Sequence, residues 1–439
     1  MNLLNTLRFS PSFTIFKTKL TKAPRQRAFL STFVFLILPA CSITDLSTGI
    51  IPGKQEFKGI AVADDPHATL AAKDVLQSGG NAFDAATAMA FTMAVTLPSR
   101  AGIGSSGICQ VYNPEAKTSS LLNFVYQGEN TSYALPAMPR AMMALHAKGG
   151  KWHWESVLLP AEKIAKQGFA ISQTLETDGK LFPEKFKDKN GNPLKAGDML
   201  IQQDLASTIA LLRSKGVAGL YTAGGAKHFM DTATVKNITF TAEELRDFVP
   251  KWETPKEVSF GNETVYLLTE SLTNKDVTAL WKKYQNNETV SKTTEKMPVG
   301  AGFAVADAYG NAITCNFSMG DLFGTRTELS GTGIILAKPL KMPTDDLATI
   351  MVVNNNVNEF RYAGYASSFA SSEDMLQTAL QVLQGKEPLQ INFETAENIP
   401  ANSGAISCPK GLPTEPASCT FAVDNRASGY GYRVGEISD

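Results

Sequence analysis

Histidine, cysteine and tryptophan are scarce in this 439-residue chain, at four, five and four residues, and charge of one sign is missing: 41 Lys and Arg face 42 Asp and Glu. Without a basic excess the chain lacks the electrostatic footprint of a nucleic-acid-binding protein, and none is expected as a partner. The histidines are scattered. His146 and His153 stand seven residues apart with no clustered thiol or carboxylate, so no metal-ligand set forms, and neither a metal nor a cofactor is expected. With His67 and His228 the only others, histidine-based catalysis has little material. A composition of 43% hydrophobic and 19% charged residues excludes disorder for the bulk of the chain.

What is present begins with a basic, acid-free opening. Residues 1–40 hold Arg8, Lys17, Lys19, Lys22, Arg25 and Arg27, and the run Ala28 to Ala40 that follows is apolar. Its 13 residues would cover about 20 Å as a helix, too little for a hydrocarbon core of roughly 30 Å. A basic segment, a short apolar segment and a small residue describe a secretory signal. Its end, Leu38-Pro39-Ala40-Cys41, resembles the lipobox of bacterial lipoproteins, which implies lipidation at Cys41. The expectation is a signal peptide over 1–40, a polar tether over 41–56 and a protein lipid-anchored in a bacterial envelope. Ser42 favours the outer membrane, facing the periplasm.

Four cysteines remain after Cys41. Cys408 and Cys419 flank a Pro- and Gly-containing stretch short enough to close as a disulfide loop, which an exported compartment permits. Cys109 and Cys315 sit inside apolar strand-like runs, where buried free thiols are expected.

Folding is expected to start near Phe57. A strand over 57–64 leads to a helix over 68–78 closed by Gly79-Gly80, then to a second helix over 82–97 that is apolar nearly all round and therefore buried. Gly102, Gly104 and Gly107 match a dinucleotide fingerprint in spacing only, because a helix precedes them where a strand is required. The middle of the chain reads as helical over 141–172, 204–216 and 241–248. From Val299 the period changes to two: residues 300–307 and 312–318 flank Ala308-Tyr309-Gly310-Asn311 as a β-hairpin. Further strands over 332–337, 348–353 and 359–366, a helix over 371–385 and a loop-rich end complete a layered α+β or α/β/β/α arrangement.

These residues resemble the gamma-glutamyltranspeptidase (glutathione hydrolase) family. Gly79-Gly80-Asn81-Ala82-Phe83-Asp84-Ala85-Ala86 looks like its GGNAxDAA motif, Gly102-Ile103-Gly104 like its glycine turn, and Asp424-x-Arg426 like its DPR. The hairpin Phe303 to Ser318, with Phe323-Gly324 and Gly333 to Leu336, resembles the start of its catalytic subunit. The resemblance implies a four-layer αββα sandwich of the N-terminal-nucleophile hydrolase type. A large-subunit-like region, 57–296, and a small-subunit-like region, 297–439, would form one unit. It also implies self-cleavage before a Thr whose hydroxyl then takes up a γ-glutamyl group.

The chain departs from that pattern where the chemistry sits. The family's nucleophile position falls on Gly300, followed by Ala301 and Gly302, and none of the three carries a hydroxyl. The Arg that grips the substrate carboxylate falls at Val125, and an apolar side chain cannot form the bidentate pair. The oxyanion-hole glycines correspond to Ser367-Ser368, the paired serines to Thr344 and Asp345, and an Asn to Gly320, while Ser318 keeps a hydroxyl. The expectation is an unprocessed, inactive relative acting as an envelope binding or structural module, with a small peptide or amino acid as its possible ligand. The alternative is an active γ-glutamyl hydrolase with a relocated nucleophile, for which Thr294 and Ser318 are the fallbacks.

Overall fold

The computed structural model describes residues 56–128, 132–290, 299–344, 347–367, 371–386, 402–424 and 427–435. The signal segment, Cys41, the tether up to residue 55, Thr294, Asp345, Ser368 and Arg426 lie outside the described residues.

Strand β1 (Gly59–Ala63) leads into helices α1 (Pro66–Gln77) and α2 (Ala82–Thr96), then into the hairpin β2 (Ser106–Asn113) and β3 (Thr118–Asn123). Helices α3 (Met138–Gly149), α4 (Trp154–Gln167) and α5 (Gln203–Lys215) dominate the middle, followed by strands β4 (Lys251–Glu253), β5 (Lys256–Phe260) and β6 (Glu263–Leu267) and helix α6 (Val277–Gln285). The hairpin β7 (Gly300–Asp307) and β8 (Ala312–Ser318) follows. Strands β9 (Ala348–Asn354) and β10 (Glu359–Ala366), helix α7 (Ser371–Leu383) and strands β11 (Ser403–Leu412), β12 (Thr420–Val423) and β13 (Tyr430–Val434) end the chain.

The strands form a seven-stranded sheet in the order β13-β1-β7-β8-β2-β3-β4 and a six-stranded sheet in the order β12-β11-β10-β9-β6-β5, antiparallel throughout. Helix α2 covers the first sheet and α7 the second. Apolar residues from both sheets, among them Ile60, Val62, Ala304, Met351 and Phe360, fill the space between them. The fold is therefore the four-layer αββα sandwich that the resemblance implied.

Every residue of α2 is buried, as its all-round apolar sequence requires. Asn81 caps it, accepting from Phe83 and Asp84 N–H, while the Asp84 carboxylate accepts from the backbone N–H of Asn81, Lys151 and Trp152. Asp84 thus ties the helix start to the chain between α3 and α4. The Ala82 N–H donates to the Asp307 carboxylate, which also orders the β7–β8 turn through Tyr309 and Asn311. The Gly-Gly-Asn-Ala-x-Asp motif is in this way a helix cap that fixes one end of the hairpin.

Two expectations need correction. Cys109 and Cys315 are a disulfide, not free thiols: they stand opposite one another on β2 and β8 with Cα atoms 4.0 Å apart. The loop-rich end contains strands, because β11 pairs with β10 along Ser403–Ser407 and carries β12 on its other side. The expected Cys408–Cys419 disulfide is present and joins β11 to the turn before β12.

Candidate functional site

The space between the sheets is apolar at one end and polar at the other. Side chains alternate along β7 and β8, so Ala301, Phe303, Cys315 and Phe317 join the core under the helices. Gly300, Gly302, Thr314 and Asn316 face the second sheet instead: Gly300 abuts Ser367, Gly302 abuts the Tyr365 ring, and Thr314 and Asn316 donate to Gly364 and Ala348 carbonyls. Gly300, Ser318 and Ser106 lie in register across β7, β8 and β2.

From Gly300 a chain of hydrogen bonds runs to the second sheet. Asn402 Nδ2 donates to the Gly300 carbonyl at 3.1 Å, Ser367 N–H donates to the Asn402 carbonyl at 3.2 Å, and Ser367 Oγ donates to Asn316 Oδ1 at 2.6 Å. Asn316 Nδ2 donates in turn to Ala366 and Ala348 carbonyls. All three side chains are buried. A Cβ placed on Gly300 would sit 2.5 Å from the Phe317 carbonyl oxygen and about 3.1 Å from Ser367 Cβ. The position expected to have lost its nucleophile therefore has no room for one on this backbone.

Ser318 is buried beside Gly300, but its Oγ accepts from the Gly320 N–H at 2.9 Å. Among the described residues no histidine, amine or carboxylate hydrogen-bonds to it, so it has no base to activate it. Val125 packs with Ile108, Leu121 and Leu272, and Thr344 is buried with its N–H on the Leu272 carbonyl. Beyond Val125 opens a cleft of about 410 Å³ lined by Asn123, Tyr126, Glu244, Asp247 and Lys251, with the nearby guanidiniums of Arg246 and Arg140 engaged by Asp247 and by the Phe248 carbonyl. The one buried guanidinium nearby in sequence, Arg100, is held by Asp178 at 2.7 and 2.9 Å, with Ser99 on the same carboxylate.

One constellation had not been expected. Asp64, just past β1, accepts from Gly302 N–H at 2.8 Å and from the Tyr365 hydroxyl at 3.0 Å, joining the two sheets behind Gly300. The Tyr365 ring fits a slot between Gly302 and Gly404, where a Cβ would approach it to 2.4 and 2.8 Å. Burial pushes the Asp64 carboxyl up to about 7, outweighing both hydrogen bonds and the pull of Arg100, while Asp424 adds to the rise. The Asp64-Asp65 pair closing an apolar strand was the available signal. Asp65 is the N-cap of α1, which obscured the separate role of Asp64.

The family model for Gamma-glutamyltranspeptidase matches residues 68–273. Over that stretch, just under half of its length, the chain is similar to the gamma-glutamyltranspeptidase family. It is 30% identical over 260 residues to the glutathione hydrolase proenzyme of Bacillus subtilis strain 168, covering 50% of this chain and 44% of that protein. It is 31% identical over 235 residues to the glutathione hydrolase proenzyme of Pseudomonas aeruginosa, covering 47% and 42%. The match thus spans less than half the length of these curated relatives. The cephalosporin acylase of Bacillus halodurans superposes with a TM-score of 0.67 over 88% of this chain and 97% of its own, at 16% identity, a likeness of fold alone. The family model's match ends before β7 begins, so Gly300 lies beyond it.

Proposed function

We propose that this chain is a gamma-glutamyltranspeptidase-like protein that neither cleaves itself nor hydrolyses γ-glutamyl amides, and that it serves as an envelope-anchored binding or structural module. The observation that carries this reading is the closure of the Gly300 position. Self-cleavage requires a side-chain hydroxyl or thiol to attack the preceding carbonyl, and acyl transfer requires the same group with a base in reach. Gly300 offers neither, the Phe317 carbonyl fills the space, and the neighbouring Ser367 hydroxyl is committed to Asn316. Val125 supplies no cation for a substrate carboxylate.

Two disulfides support an oxidising compartment, in keeping with export and lipidation at Cys41. The test uses the full chain on a denaturing gel with reductant, followed by incubation with γ-glutamyl p-nitroanilide. One band and no nitroaniline release are expected. Two fragments with an N-terminal Thr294, together with turnover lost in Thr294→Ala, would overturn the reading. Fatty-acid labelling lost in Cys41→Ala tests the anchor, and labelling that persists would refute it.

A further inference from the structure

A second cleft, of about 580 Å³, lies away from Gly300 on the helix side of the first sheet, where Phe182 packs on the buried Phe186 and Phe323. Three segments are locked together to form it. The turn after Leu329 presses on the start of α5, because Gly333 lets it approach so closely that a Cβ there would sit 2.4 Å from the Leu205 nitrogen. Thr208 Oγ1 donates to the Thr332 carbonyl at 2.7 Å and secures the same contact. Lys185 pairs with Glu328 at 2.5 Å, tying the loop after residues 173–179 to that turn. The walls are thus set by backbone packing and a partly buried ion pair.

With Lys185 and Glu328 satisfying each other, four charged side chains remain around the opening: Lys236 and Arg326, Glu184 and Asp204. None of them makes an ion pair among the described residues. Two cations and two carboxylates outside any ion pair, with the Tyr133 and Phe182 rings beside them, do not suit a simple anion, which the carboxylates would repel. They suit a ligand carrying both charges. The volume falls in the range of small-molecule sites, which is roughly 300–1,000 Å³.

We propose that this cleft binds a short zwitterionic peptide, its free carboxylate held by Lys236 and Arg326, its free ammonium by Glu184 and Asp204, and an apolar side chain against Tyr133 and Phe182. This gives the binding module a ligand class and a place distinct from the closed Gly300 site, and it rests on the binding-module reading only for its purpose. A turnover-competent, cleaved protein would undo the account of Gly300 and leave the cleft unaffected.

The test is calorimetric titration of the full chain with the unblocked tripeptide Ala-Phe-Ala, with its N-acetylated, C-amidated form and with inorganic phosphate. Saturable binding of the unblocked peptide is expected with Kd below about 1 mM, weakened at least about tenfold by blocking, or about 1.4 kcal/mol. The double variants Lys236→Gln/Arg326→Gln and Glu184→Gln/Asp204→Asn should each weaken it by a similar factor with unchanged melting temperature, while Lys117→Gln on the distant β2–β3 turn has no effect. No saturation at about 10 mM peptide, equal affinity for the blocked form, indifference to both double variants, or displacement by phosphate alone would each overturn the proposal.

Discussion

Asp64 should contribute less to the stability of the fold as pH rises from about 4 to 7. Its carboxyl is fully buried between β7 and β10 and is raised from 3.8 to about 7. In the unfolded chain the same carboxyl ionises near its ordinary value, so between these two values the folded state holds a proton that the unfolded state has lost. A group raised in this way contributes most at low pH, and its contribution declines until the folded carboxyl ionises near 7. At 1.36 kcal/mol per pH unit the span corresponds to roughly 4 kcal/mol, as an upper bound. Asp65 and Asp307, also raised by burial, slope in the same direction, so the informative quantity is the difference between wild type and Asp64→Asn. Asparagine resembles the protonated carboxyl, its Oδ1 able to accept from Gly302 N–H and its amide able to donate to the Tyr365 oxygen, so the variant should start within about 1 kcal/mol of wild type at pH 4.5. By pH 7.5 the wild type should lose roughly 3 kcal/mol relative to the variant, because the variant has no charge to bury beside Asp424. Urea unfolding at four pH values measures it. Parallel profiles for the two proteins would show that Asp64 ionises normally in the fold and would refute the reasoning.

Gly300→Thr should destabilise by about 1–3 kcal/mol through overpacking against Phe317 and Ser367, and should still release no nitroaniline from γ-glutamyl p-nitroanilide. Turnover in that single variant would mean that the crowding is easily relieved and that Val125 is no obstacle. Arg100→Met should cost about 3–5 kcal/mol by stranding the Asp178 carboxylate, and Arg100→Met/Asp178→Leu should recover much of the loss in thermal melts. Failure of the double variant to recover would locate the value of Arg100 outside its pair with Asp178.

The hairpin β7–β8 and strand β10 were legible to the residue, because period-two apolar runs bounded by turn residues carry their own limits. Strand β11 was not, since Pro409, Gly411 and Pro413 mark its far end as loop while its pairing with β10 lies in Ser403–Ser407. The Cys109–Cys315 pairing was hidden for a related reason. Each cysteine sat in a recognised strand, but that β2 and β8 are neighbours is a property of the sheet order, which no local period encodes. At the site, the missing hydroxyl at Gly300 was readable only by resemblance. The Phe317 carbonyl and the Asn402 to Gly300 bond that close the position come from a neighbouring strand and from about 100 residues away, and no spacing rule brings them together.

The Cys109–Cys315 bond has a topological consequence. It spans 206 positions and encloses α6, the stretch 291–298 and the whole of β7 in one covalent ring. A backbone cut anywhere inside that ring opens it without releasing a piece, so a nicked molecule keeps its mass, its shape and the proximity of its two halves until a reductant reaches a sulfur buried in the middle of a sheet. The physical integrity of this protein is therefore insured against peptide-bond loss over nearly half its length, and only the thiol chemistry of its surroundings decides whether one molecule becomes two.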